Sequence, residues 1–497
     1  MPPFSRLLIA NRGEIAIRVI RACRELGISP VAVHSDADVG ALHAQLADSS
    51  ERIGPPAARE SYLVVDAVIG AALRSGAEAI HPGYGFLSEN PEFARAVEAA
   101  GLVWIGPPAA TLESLGNKLA ARQRAQAAGV PIVPGTTMAL SDDPGQLEAI
   151  GFPLMLKASA GGGGRGMRRV DSPADVADAL VAARREALSA FGDGTVYAER
   201  LLAPVRHIEV QLLGDQHGRL AVLGERDCSI QRRHQKLVEE SPSPAIDSDK
   251  RVELFDSARR VAGTVEFHNA ATVEFLLDAD SSHYFLEMNT RLQVEHGVTE
   301  LVTGIDLVAW QIRIAAGQPL PDAIMRASSR GHAIEVRLYA EDPYNDFQPS
   351  TGSVTAWQMP AGPGVRVDAG VAAETDLPPE YDPLLAKLMV HADDRSAAVD
   401  RLRRALDETI IGGVQTDAGF LRWLVDDASF VSGAYDTGLI EERWGTGRDQ
   451  SDEDWALAAA AAVAARTTAE SIRRRRADPG QADPAWAELA RREALRR

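Results

Sequence analysis

A chain of 497 residues is too long for a single hydrophobic core and points to about three domains. Its 45% hydrophobic and 25% charged residues are ordinary for a globular protein, and a formal net charge of -18 argues against general nucleic-acid binding, which needs basic surface. Cys23 and Cys228 cannot build a disulfide framework, Leu7-Leu8-Ile9-Ala10 is too short for a signal-peptide core, and the apolar run 456–465 is about half a membrane span. A cytoplasmic protein without membrane contact is expected.

The opening reads as strand, turn and helix. Arg6 to Ala10 is a short apolar run, Asn11-Arg12-Gly13 breaks it, and Ile15, Val19, Ile20 and Cys23 recur at helical spacing. Apolar runs at Pro30 to His34, Ala79-Ile80 and Val103 to Ile105 follow, so a parallel, doubly wound, Rossmann-like α/β domain is predicted over residues 1–115. The first turn lacks Gly-x-Gly-x-x-Gly, which leaves a dinucleotide site unsupported. Turn formers gather around Tyr84 in the loop His81 to Asn90.

A second unit is expected over 116–330. It begins with a helix from Leu115 to Ala128, and Phe152 to Lys157 reads as a buried strand ending in a lysine. Ala160 to Gly166 follows at once, then helical periodicity from Ala174 to Leu188 and strands at Val196 to Arg200 and His207 to Leu213. Val273 to Leu277 and Tyr284 to Met288 read as antiparallel strands joined by a polar turn. A third, mixed α/β unit is expected over 331–445. The segment 446–497 reads as a helical tail, either a partner-docking face or a solvated terminus.

Four stretches carry chemistry. The glycines at 161–164, with Arg165 and Gly166, form either a flexible linker or a loop whose N–H groups wrap a phosphate chain, with Lys157 beside it as the positive charge. This is not the P-loop pattern, because the lysine precedes the glycines. Glu274 and Glu287 fall on neighbouring strands with Asn289 on the same face, a hard-oxygen set suited to magnesium, since like charges facing each other in a sheet repel without a cation. The segment Gln231 to Lys236 leaves neither face apolar and suits a polar cavity for anions as well as a solvated basic patch. In Glu287 to His296 the polar residues Glu287, Asn289, Arg291, Gln293 and Glu295 recur at every second position. If extended, the segment aims them at one face, wet or ligand-binding, and sends Leu286, Met288, Leu292 and Val294 into a core.

Several long strings in order resemble the biotin carboxylase component of biotin-dependent carboxylases, a branch of the ATP-grasp superfamily. They are Ile9-Ala-Asn-Arg-Gly-Glu-Ile15, His81-Pro-Gly-Tyr-Gly-Phe-Leu-Ser-Glu-Asn90, Lys157-Ala-Ser159, Gly161-Gly-Gly-Gly-Arg-Gly-Met167, Glu225-Arg-Asp-Cys-Ser229, Gln231-Arg-Arg-His-Gln-Lys236 and Glu287-Met-Asn-Thr-Arg-Leu-Gln-Val-Glu-His296. The resemblance spans about residues 4 to 445 and is far more specific for the family than for its final substrate.

The resemblance implies a pre-ATP-grasp domain, an ATP-grasp domain with a mobile lid over about 132–201, and a C-terminal biotin carboxylase domain. It implies ATP contacts from Lys118, Lys157, Gly163, Gly164, Arg165 and Gly166 on the phosphates, and from Glu199, Arg200, Leu201, Leu202, His207, Gln231 and His234 around the nucleotide. Glu274, Glu287 and Asn289 would hold magnesium or manganese; Lys236, Arg291, Gln293, Val294 (by its backbone) and Glu295 would form the bicarbonate site; Tyr84 and Arg337 would face biotin. Glu295 would be the general base and Arg291 the stabiliser of the biotin enolate, with Lys236 and Arg337 assisting.

Implied partners are a biotin carboxyl carrier protein and carboxyltransferase subunits on other chains, because no Ala-Met-Lys-Met motif is present. A homodimer or larger complex, an acetyl-CoA or propionyl-CoA type of carboxylase, and a link to fatty acid biosynthesis are implied with them. Another ATP-grasp ligase joining a carboxylate or bicarbonate to an amine is the alternative. Ala160, Arg200, Asn117 and Gly297 depart from the family's usual residues, and Gly297, in place of proline, implies a looser loop beyond Glu295.

Overall fold

The computed structural model describes residues 4–140, 147, 149–159 and 166–445. Strands β1 (Arg6–Ile9), β2 (Ser29–Ser35), β3 (Ser49–Gly54), β4 (Ala79–His81) and β5 (Val103–Trp104) form an all-parallel sheet in the order β3-β2-β1-β4-β5. Both faces are covered over most of the sheet, which is why β1, β2, β4 and β5 read as apolar runs, whereas the edge strand β3, Ser-Ser-Glu-Arg-Ile-Gly, is polar and largely exposed. Leu7 and Ile9 pack with Ile15 and Val19 of the helix Gly13–Glu25, whereas Leu8, Val31 and Val33 pack on the opposite side with Val68 and Phe93.

The helix expected from Leu115 to Ala128 is two helices, Ala109–Gly116 and Lys118–Ala127. Asn117 between them is extended (φ -91°, ψ 116°), and its side-chain oxygen accepts the Ala120 N–H at 3.0 Å. Asparagine gains more as an N-cap than inside a helix, so it interrupts a pattern that apolar periodicity alone carries through. Lys118 thereby becomes the first residue of its helix.

Strands β6 (Leu154–Ala158), β7 (Met167–Val170) and β8 (Val196–Arg200) form a small antiparallel sheet in the order β7-β6-β8. Leu154, Leu156, Val170 and Ala198 pack with Ala183 and Ala187 of the helix Val176–Phe191, a core of their own within the segment expected to be a lid.

The largest sheet is antiparallel and has eight strands. β9 (Val205–Gly214), β10 (Leu220–Arg232), β11 (Gln235–Ser241), β12 (Asn269–Asp278), β13 (His283–Asn289) and β14 (His332–Tyr339) are joined by Leu384–Ala392 and Val365–Ala369. The order is β13-β12-β9-β10-β11-β14, then Leu384–Ala392 and Val365–Ala369. The expected boundary at 330 therefore falls within one sheet, with β11 and β14 paired from Val238↔Val336 to Ser241↔Ala333. The helix His296–Thr303 lies along this sheet and is buried on nearly every side. No helix among the described residues is long and apolar enough to cross a membrane.

Candidate active site in the interdomain cleft

A cleft of about 2040 Å³ opens between the parallel sheet's loops, the small sheet and the large sheet. Tyr84, Lys118, Lys157, Glu199, Arg200, Leu201, Leu202, His207, Gln231, His234, Lys236, Glu274, Glu287, Asn289, Arg291, Gln293, Val294, Glu295 and Arg337 all line it. Gly166, buried, stands one residue before the lining residue Met167. Gly163, Gly164 and Arg165, like the tail 446–497, lie outside the described residues.

Two turns build the polar wall. Glu274 pairs with Glu287 and Phe275 with Phe285, so Leu286 is an extra residue in β13. This bulge breaks the two-residue alternation and turns both Leu286 and Glu287 toward the cleft, while Phe285 and Met288 enter the core. The strand ends at Asn289, and residues 290–295 bend into the helix that begins at His296. Of the side chains expected in a core, Met288 and Leu292 are there, but Leu286 and Val294 line the cleft. The bulge and the bend, which alternation cannot signal, make the difference.

Gln231 to Lys236 is not a continuous strand either. Gln231 pairs with Lys236 and Arg232 with Gln235 around a two-residue turn, where Arg233 (φ 49°) and His234 (φ 67°) are left-handed. The turn sets Gln231 and Lys236 side by side facing the cleft, and Arg232 and Arg233, which line it too, both pair with Asp346.

The Lys236 ammonium donates to three buried carboxylates: Glu209 at 2.7 Å, Glu274 at 3.0 Å and Glu295 at 2.7 Å. Burial works against its charge, but these neighbours raise it well above the ordinary lysine value. Burial would also raise the Glu295 carboxyl, yet Lys236, then Arg337 and Arg226, hold it well below the usual range. Glu295 is thus ionised and has accepting capacity. An anion that draws Lys236 toward itself weakens the strongest charge holding Glu295 down and makes it a better base. The Nη2 of Arg337 donates to Glu295 at 3.0 Å and also pairs with Glu239. Burial lifts Glu239 to about 7 despite Arg337.

Arg291 donates to Glu89 at 2.9 Å and to Gln293 at 3.0 Å, so it stands at the mouth of the same group. Glu274 accepts Asn289 at 2.8 Å and Gln293 at 3.1 Å, and its other oxygen stands 2.8 Å from His207 Nε2. Glu287 faces Lys118 at 3.4 Å. Two opposed carboxylates fit a hard divalent cation, and the Asn289 amide, whose nitrogen now faces Glu274, would add its oxygen if turned over. The His207–Glu209–Glu274 set is also compact, but the Lys236 ammonium already bonds two of its members. On the opposite wall Lys157 and Arg122 share Glu199, Arg122 at 2.7 Å, and Met155, Met167, Leu202, Leu276 and Leu286 supply apolar lining. An apolar slot between lysines and an acidic pair suits a nucleotide with its metal.

Sequence reasoning missed Glu209, Glu239, Glu89 and the buried Arg226, which holds Glu209, Gln211, Thr272 and Thr299 beneath the site. The first has a signal: His207, Glu209 and Gln211 alternate with Ile208, Val210 and Leu212 in a strand buried on both faces.

A small antiparallel sheet closing on a larger one, over lysines on one side and an acidic pair on the other, defines an ATP-grasp enzyme. Residues 117–323 match the family described as carbamoyl-phosphate synthase L chain, ATP binding domain. Residues 3–112 match the biotin carboxylase N-terminal domain and 335–442 the biotin carboxylase C-terminal domain. A biotin carboxylase of Nostoc sp. is 48% identical over 442 residues, covering 88% of this chain and 99% of the relative. A propionyl-CoA carboxylase alpha chain of Ruegeria pomeroyi is 45% identical over 500 residues, covering 95% of this chain and 73% of its own. The biotin carboxylase domain dimer of Hydrogenobacter thermophilus 2-oxoglutarate carboxylase, solved with MgADP, ADP and bicarbonate, is similar with a TM-score of 0.86 and 42% identity over 90% of this chain and 99% of that one. The chain belongs to the biotin carboxylase family, whose members are ATP-dependent carboxylases.

Proposed function

We propose that the enzyme uses ATP and bicarbonate to carboxylate biotin on a separate carrier protein, the first half-reaction of an acyl-CoA carboxylase of the acetyl-CoA or propionyl-CoA type. The observation that carries the reading is the convergence of Lys236, Arg337 and Arg291 around the ionised Glu295, next to the acidic pair Glu274 and Glu287. The propionyl-CoA branch draws support from the Ruegeria pomeroyi alignment, whose 95% share of this chain is too large for residues 1–445 to fill.

Bicarbonate bound by Lys236, Arg291, Gln293 and the Val294 backbone gives its proton to Glu295, and the freed oxygen attacks the γ-phosphorus of ATP. ADP leaves and carboxyphosphate forms; its C–O bond then breaks to give CO2 and phosphate. The released phosphate takes the N1' proton of biotin held by Tyr84 and Arg337, and the resulting enolate, stabilised by Arg291 with a charge it cannot lose, attacks CO2 through N1'. Lys118 and Lys157, with the loop Gly163, Gly164, Arg165 and Gly166, bind the phosphates; Glu199, Arg200, Leu201, Leu202, His207, Gln231 and His234 surround the remainder of the nucleotide. Glu274, Glu287 and Asn289 would hold magnesium or manganese, which neutralises phosphate charge. Closure of 132–201 as a lid excludes water from the labile intermediate. The partners are carrier and carboxyltransferase subunits, docked with help from the tail 446–497, and the working unit is a homodimer or larger complex. Two free, buried cysteines suit the cytoplasm.

The test is ATP hydrolysis that requires bicarbonate and rises with free biotin. A folded sample that binds ATP but shows no biotin stimulation would count against the reading.

A further inference from the structure

Lys387 belongs to no sequence motif, yet its ammonium sits behind the reactive group. It lies on the strand Leu384–Ala392, opposite Arg337, and is 0% exposed. It donates to the Val294 carbonyl at 2.6 Å, and its ion partner Glu14 is 3.3 Å away. Glu14 is buried too and accepts the Tyr84 hydroxyl. A lysine removed this completely from water is costly unless every donor has a use, and an unpaired one would surrender its charge. Here burial is outweighed by Glu14 first, then Glu335 and Asp368, so the ammonium stays charged.

Two segments meet at this one charge, the first turn of the helix Gly13–Glu25 and the bend that presents Glu295, and the Tyr84 loop joins them through Glu14. Gly370 packs closely against the backbone of Glu14, leaving no room for a side chain there: a Cβ on it would stand 2.8 Å from the Glu14 nitrogen. The Val294 carbonyl belongs to the peptide that leads into Glu295. Holding that oxygen fixes the peptide plane, and with it the direction in which the Glu295 side chain leaves the backbone. Without a donor the peptide can rotate, which would move Glu295 away from Lys236 and Arg337.

We propose that Lys387 is a positioning residue for the base, clamping the Val294 carbonyl, and that Glu14 links this clamp to the wall bearing Tyr84. The proposal rests on Glu295 being the base that deprotonates bicarbonate.

The full-length chain is assayed as wild type, Lys387→Met and the double variant Lys387→Met/Glu14→Gln, which removes both buried charges together. Bicarbonate-dependent ATP hydrolysis, the KM for bicarbonate, nucleotide affinity by calorimetry and thermal stability are measured. Misplacing the base should lower kcat by about 10²-fold and raise the KM for bicarbonate, with nucleotide affinity kept within about threefold. The double variant should regain wild-type stability without regaining turnover. A stable double variant with wild-type kcat overturns the proposal, as does loss of nucleotide affinity in proportion to turnover. If wild type itself hydrolyses no ATP with bicarbonate, the functional reading falls first and takes the proposal with it.

Discussion

Replacing Gly297 by alanine would set a methyl carbon 2.2 Å from the sulfur of Met389 and 3.3 Å from Oε2 of Glu335. Gly297 is the second residue of the helix His296–Thr303 and not in the left-handed region, so its backbone accepts alanine. Helix propensity alone would then favour the variant by about 0.8–1.0 kcal/mol. Against this, Met389 is 0% exposed and must leave its place, and overpacking a filled core costs about 1–3 kcal/mol. The expected balance is a net loss of up to about 2 kcal/mol, nearer the low end if the flexible thioether finds another rotamer. Met389→Val makes room, so Gly297→Ala in that background should regain stability, with a coupling of about 1–2 kcal/mol across the cycle. Urea unfolding followed by far-UV circular dichroism gives the four midpoints. A Gly297→Ala protein at least as stable as wild type, with no coupling to Met389, would refute the packing argument. It would also restore the expectation that this stretch is loose.

Glu295→Gln and Arg291→Ala should each keep nucleotide affinity within about threefold while biotin carboxylation falls by about 10²–10⁴-fold; parallel loss of nucleotide binding in calorimetry would refute the assigned roles. Glu287→Gln should raise the magnesium concentration for half-maximal ATP cleavage by at least about tenfold, and an unchanged titration would remove Glu287 from the metal set. Glu240 is buried; burial raises its carboxyl, but His332 at 2.5 Å and Arg395 at 2.7 Å outweigh that and bring it from 4.5 to about 2. Its folded value is depressed, so the stabilisation, about 3 kcal/mol, is present above pH 4.5 and lost as the pH falls toward 2. The urea midpoints of wild type and Glu240→Gln should therefore differ at pH 7 and converge on acidification; a pH-independent gap would contradict the linkage. Deleting 446–497 should leave carboxylation of free biotin intact but prevent recovery of the carrier and carboxyltransferase with the chain, and unchanged assembly would end the docking role for the tail.

Legibility in the sequence followed the range of the interaction. β8 was predicted at its observed bounds, Val196–Arg200, because a short apolar run with clear flanks is a local signal. The break at Asn117 was missed because helical periodicity outlasts a cap, which only the competing side-chain bond reveals. The alternation from Glu287 to Glu295 pointed to residues that line the cleft by a geometry that holds only in part, since the bulge at Leu286 arises from the register of the neighbouring strand, where Glu274 and Phe275 pair with Glu287 and Phe285. Tyr84, Lys157, the residues of Gln231 to Lys236 and those of Glu287 to Glu295 were legible together because family strings carry them, whereas Lys118, Glu199, His207 and Arg337 lie outside those strings and came only with the resemblance. Lys387 and Glu14 escaped as a pair because they are 373 residues apart and meet only through the assembled fold.

The continuous large sheet has a mechanical consequence. Its strands from β13 to Val365–Ala369 belong to one continuous sheet that spans residue 330, so separating the chain there into two pieces would expose the paired edges of β11 and β14. The small sheet differs: among the described residues no strand ladder ties it to the large one, and the bridge Ile132↔Phe285 lies at its root. Tilting it about the stems at 131–135 and 201–204 strains side-chain contacts and the backbone bond from Lys118 to Ser159, but no ladder. Stiffness and compliance are thus divided between the two sides of the cleft, and amide exchange should find the small sheet opening at far lower free energy than the floor beneath Glu295.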